Sequence, residues 1–83
     1  MSMGNIMSTV SLRCTVVTNP DSFVGFEYYI KAGDVFDADK FASVFRLNRA
    51  DINADDILAV EHAANRLTAG ECLMVSHSIS HEG

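Results

Sequence analysis

The stretch Lys31-Ala32-Gly33-Asp34-Val35-Phe36-Asp37-Ala38-Asp39 decides how this chain folds. The residues before it, Phe23 to Ala32, are rich in aromatic side chains and read as a strand, with Gly25 as a possible bulge. Gly33 accepts positive φ, and the Asp34 carboxylate can accept from the amides that follow, so the strand ends in a sharp corner. Beyond the corner, Asp37 is the N-cap candidate of a helix, and the acids at 37 and 39 suit its positive end. Phe41, Val44, Phe45 and Asn48 then recur at helical spacing and give that helix one apolar face.

Further along, Arg49 to Ile52 is a short link to Asn53, the N-cap candidate of a second helix that runs to about Asn65. Ile57, Val60 and Ala64 line its buried side, with Leu58 alongside. Leu67 to Gly70 is a turn, and Glu71 to Val75 is a strand whose inner face is Leu73 and Val75. Upstream, Thr9 to Val17 alternates strictly. Val10, Leu12, Cys14 and Val16 share one face, Ser11, Arg13 and Thr15 the other, as in a half-buried strand. Thr18-Asn19-Pro20-Asp21-Ser22 is the turn between the first two strands. The order is ββααβ, an α+β fold with two short helices packed on a small antiparallel sheet. Residues 1–8 read as a polar arm, 9–76 as one domain, and 77–83 as a polar tail.

The chain has 83 residues, 48% of them hydrophobic and 20% charged, which supports one folded domain with a small core. Eleven acids against six bases give a net charge of −5. Phosphate backbones are bound by clustered Lys and Arg, so nucleic acid and anionic membranes are poor partners for this chain. The first eight residues carry no basic region and no apolar run of the signal-peptide kind, and no apolar stretch reaches transmembrane length. The expected location is the cytoplasm or the inside of a virion. Cys14 and Cys72 then read as buried free thiols, although the sequence leaves open whether they are neighbours in the sheet.

Each candidate chemistry has a plainer rival. Asp51-Ile52-Asn53-Ala54-Asp55 matches the start of a calcium loop, but Asp56 stands at the glycine bend and His62 at the closing glutamate, so a helix start is the better reading. His77 and His81 could share a strand face and a metal, with His62 or an acid as a third ligand; the rival is a solvated polar tail. Ser78 and Ser80 lack a positioned base and an oxyanion site, so no nucleophile is assigned. Asp34, Asp37 and Asp39 are crowded, yet carboxylates at a turn and a helix start ordinarily serve backbone amides. No catalytic residue, metal site or cofactor is expected. Phe26, Tyr28 and Tyr29 are the candidate partner-binding residues, because a domain this small cannot cover both faces of an aromatic strand.

Two segments carry a family resemblance. Tyr29-Ile30-Lys31-Ala32-Gly33-Asp34 resembles the Y-x-V-x-x-G-D opening of lysin-motif (LysM) domains, followed by Phe41-Ala42 and Phe45 in the first helix. Leu67-Thr68-Ala69-Gly70-Glu71-Cys72-Leu73-Met74-Val75 resembles the family's L-x-x-G-Q-x-L-x-I close. The likeness covers about residues 28–75 and implies a βααβ core, to which Thr9 to Val17 adds a strand. Val35 stands where the family has Thr and Phe36 where it has Leu; the inter-helix region is longer and the loop before the last strand is nearly absent. The family binds N-acetylglucosamine polymers in a groove between two loops. Here that groove would take Gly33, Asp34, Val35, Phe36, Asn65, Arg66 and Leu67. Folds of this type also recur in phage tail and baseplate proteins. The favoured expectation is therefore a non-catalytic assembly protein that binds protein partners or copies of itself, as in a phage tail, baseplate or capsid-associated component. A peptidoglycan- or chitin-binding module is the alternative.

Overall fold

A computed structural model describes residues 7–18 and 28–82. Strand β1 (Met7–Val17) comes first, then β2 (Tyr28–Lys31), helix α1 (Ala38–Val44), a single 3-10 turn (Arg49–Asp51), helix α2 (Ala54–Asn65) and β3 (Cys72–Glu82). The result is a small α+β domain with two helices and a three-stranded antiparallel sheet. Of the strand expected over 23–32, residues 23–27 lie outside the described part, as does Gly25.

The sheet order is β1-β3-β2, with the last strand in the middle. Both flanking strands run antiparallel to β3 and therefore parallel to each other. Cys14 and Tyr28 lie on either side of Val75, and Val16 and Ile30 on either side of Leu73. Side chains alternate across a strand, so these rows share one face, and Thr15, Met74 and Tyr29 form a row on the other. Leu73 and Val75 are wholly buried, and Met74 is buried on the opposite face. Leu73 and Val75 share their core with Val10, Leu12, Ile30, Phe36, Phe41, Ile52, Ile57 and Val60.

Two local rules set the corners. The amide of Asp34 donates to the Lys31 carbonyl at 3.0 Å, and that of Glu71 donates to the Thr68 carbonyl at 2.9 Å. Gly33 (φ 93°) and Gly70 (φ 89°) hold the third position of these turns, where positive φ is required. The sequences are Lys-Ala-Gly-Asp and Thr-Ala-Gly-Glu, so the same device sends the chain out of β2 and back into β3. In the second turn Glu71 Oε1 also accepts from the Thr68 amide at 2.7 Å. Hydrogen bonds from Thr68 hold the Glu71 carboxyl below its ordinary pKa.

The helices begin where Asx caps allow. Asp37 Oδ1 accepts from the amides of Asp39 and Lys40, and Asn53 Oδ1 from those of Asp55 and Asp56. A third cap, Asn48 to Ala50, starts the 3-10 turn. Helix α1 stops sooner than its apolar spacing suggested. The Leu47 amide reaches the Ala42 carbonyl at 2.8 Å and the Arg46 amide reaches Ser43, with Arg46 at φ 56°. That is a Schellman ending with arginine in the place glycine usually takes. Within the helix Val44 is exposed instead of on the core face, and Leu58 of α2 is exposed too.

The strands reach further toward both chain ends than expected. Met7 and Ser8 belong to β1, while residues 1–6 of the expected arm lie outside the described part, and residues 77–82 are strand, with Ser78, Ile79 and Ser80 still exposed to solvent. Each segment supplies the other's hydrogen-bonding partner, in a register that runs from Met7 opposite Glu82 to Val17 opposite Cys72. On its other edge β1 is tied to the start of α2. The Asn53 amide donates to the Val10 carbonyl at 2.9 Å, and the Leu12 amide donates to Asp56 Oδ2 at 3.0 Å. An edge strand is thereby capped by a helix start.

The two positive-φ sites have opposite expectations. No atom would meet a Cβ at Gly33, so Gly33→Ala costs backbone strain alone, about 1–3 kcal/mol. Arg46→Gly removes a left-handed penalty and should gain roughly 0.5–1 kcal/mol after the added chain entropy of glycine. Urea midpoints measure both. Asp56→Ala strands the Leu12 amide and should cost about 1–2 kcal/mol, with faster amide exchange at Leu12 as the local signature.

Candidate functional site

The alternation of β2 sends its two tyrosines opposite ways. Tyr28 turns inward, with its ring 5.2 Å from Phe41 and 6.3 Å from both Phe36 and Phe45. Phe41 is in turn 4.8 Å from Phe45 and 5.6 Å from Phe36, and His77 of β3 packs on Phe45 at 5.1 Å and on Phe41 at 5.8 Å. Edge-to-face contacts of this kind add about 0.5–1.5 kcal/mol each beyond area burial. Tyr28 is therefore half-buried and packed against the core, so only part of it is open to solvent. Tyr29 faces the other way and is 38% exposed. Phe26, the third residue of the expected set, lies outside the described residues.

Beside the edge of β2 is a depression of about 390 Å³, lined by Tyr28, Tyr29, Ile30, Asp34, Val35, Asp37 and Lys40. A second, of about 210 Å³, is lined by Val35, Phe36, Glu61 and Asn65. Val35 belongs to both and is 75% exposed, the highest value among the exposed large apolar residues described. Just past the corner, Phe36 is buried in the core while its neighbour Val35 stands out as a ridge.

The groove residues expected from the family resemblance divide between these places. Val35, Phe36 and Asn65 meet in the smaller depression, whereas Asp34 lines the larger one. Gly33 serves the turn, Leu67 packs against the core, and Arg66 caps the end of α2. Sequence reasoning missed Lys40 and Glu61 as lining residues. Glu61 and Asn65 are four apart on α2 and share a face, a signal that was present once the helix was placed.

Other candidate chemistry is rearranged by the fold. Cys14 sits opposite Val75, and Cys72, three positions earlier in β3, sits opposite Val17. Three residues of strand amount to about 10 Å and an odd step puts the two thiols on opposite faces, beyond disulfide reach. Both are free and half-buried, and burial raises the Cys14 thiol pKa. Asp37 is occupied in helix capping, and Asp39 pairs with Arg49 at 3.2 Å on the surface, a contact of small energetic weight. Asp51 closes the 3-10 turn and Asp55 opens α2. Ser78 and Ser80 are strand residues. Among the described residues no three His, Cys, Asp or Glu side chains gather to hold a metal ion, and no helix is long and apolar enough to cross a membrane.

No protein-family model matches the sequence, and a search of the curated proteins finds no match.

The tyrosines give a direct check on this geometry. Tyr28→Ala should cost about 2–4 kcal/mol by opening a hole against Phe41, whereas Tyr29→Ser should cost no more than about 1 kcal/mol. Thermal unfolding of the two variants side by side distinguishes them.

Proposed function

We propose that this chain is a non-catalytic assembly domain that docks protein partners through the surface at the β2 edge and the 33–37 corner. The observation that carries the reading is one depression with two apolar side chains, Tyr29 and Val35, turned to solvent around it. An amphipathic aromatic and an exposed branched aliphatic beside a concavity suit a protein interface, where such anchors contribute most when a partner covers them. A larger particle, such as a phage tail, baseplate or capsid-associated assembly, is the setting that the lysin-motif resemblance suggests.

A second reading keeps the family's ligand. Val35, Phe36 and Asn65 meet in the smaller depression, where the Asn65 amide and the Glu61 carboxylate could hydrogen-bond a sugar. It ranks lower because Phe36 is buried and forms only a wall, and the chain has no Trp to act as a stacking platform.

Native mass measurement of the purified protein and of any complex it forms, run beside pull-downs on chitin and peptidoglycan, separates the two. Tyr29→Asp should abolish the assembled species while leaving the circular dichroism spectrum unchanged. A monomer retained on the polysaccharide would reverse the ranking.

A further inference from the structure

The two depressions and the ridge between them form one continuous surface, because Val35 lines both. Its ionisable rim is uneven. Asp34 and Asp37 line the larger depression and Glu61 the smaller, against Lys40 alone, so three carboxylates and one ammonium leave this surface at −2. The capping duty of Asp37 does not cancel its charge, since the two donors at Oδ1 are neutral amides. Tyr29 adds an exposed aromatic ring at the rim, which attracts a guanidinium through its face. The chain as a whole carries −5, so the long-range field has the same sign as the local one.

Resting on the assembly reading above, we propose that the occupant is a cationic protein segment that straddles Val35. An apolar residue of that segment packs on the ridge, and an arginine or lysine on either side enters each depression. Arginine suits the larger one best, where it can lie on Tyr29 and pair with Asp34, and a basic group in the smaller one meets Glu61. Nucleic acid is repelled by the same rim. A neutral sugar polymer gains nothing from the charge, which makes it the useful competing outcome.

The test titrates the full-length, 15N-labelled protein at low salt with three probes. These are the peptide Arg-Gly-Leu-Gly-Arg with blocked ends, its Glu-Gly-Leu-Gly-Glu counterpart, and a β-1,4-linked N-acetylglucosamine hexamer. The arginine peptide should move the amides of Asp34, Val35, Phe36 and Glu61 more than those of Asp51 and Asp55, acids distant in sequence from the corner. Its apparent Kd should rise about fivefold in the Asp34→Asn, Glu61→Gln double variant, the loss of two charge contacts on an open surface. Val35→Ser should weaken it by about threefold, and because Val35 is exposed, the rest of the spectrum should not change.

Equal shifts from the glutamate peptide, shifts spread evenly over all acids, or a response to the sugar alone would each overturn the cationic occupant. The charge assignment and the assembly reading fail separately. If Tyr29→Asp dissolves a native complex that the charge double variant leaves intact, assembly stands and the charge assignment falls.

Discussion

The structure depends on a strand that arrives last and must be accepted on both sides. Strand β3 sits between β1 and β2, its Leu73 and Val75 wholly buried, and no sheet exists until it is in place. Its partners lie at the far end of the sequence, with the β1 register spanning Met7 to Glu82. Such pairing carries a loop-closure cost that must be met before contacts reward it, so this domain belongs among the slower folders for its size. The helices cannot lead the process unaided. At 7 and 12 residues they are too short to persist in water without a sheet to pack on, whatever their caps contribute.

Much of this was legible in the residues, and the reason is that local rules agreed with the global pattern. Gly33 and Gly70 marked the corners, Asp37 and Asn53 the helix starts, and the alternation of Val10 and Leu12 the inner face of β1. The outer half of β3 was not legible. Serine and histidine are weak strand formers, and what makes 76–82 a strand is a partner sixty or more positions away. Helix α1 ended early because Arg46 takes a left-handed conformation, which nothing in an arginine announces. For the tyrosines, period-two alternation established that they part ways, but only the packing of Phe36, Phe41 and Phe45 decides which is inward.

The site shares its origin with the fold. Directly after the corner that ends β2, Phe36 fills the core while its neighbour Val35 stands exposed, so one short segment supplies both a core aromatic and the ridge. The site's concavities are equally products of packing, since one wall of the smaller is the C-terminal part of α2, which is held against β1. How much of a partner's surface these features can cover is limited. On the proposed reading Tyr29 and Val35 would be two anchors, enough for the centre of a modest interface and not for an obligate one.

The pairing of Met7 with Glu82 has a practical side. Backbone positions near the two extremes of the chain lie next to each other at one end of the β1–β3 ribbon, while β2 and its depressions flank the other end, around Cys72 to Val75. A label introduced into the backbone near Met7 or Glu82 would thus report on the end of the ribbon remote from the proposed docking surface.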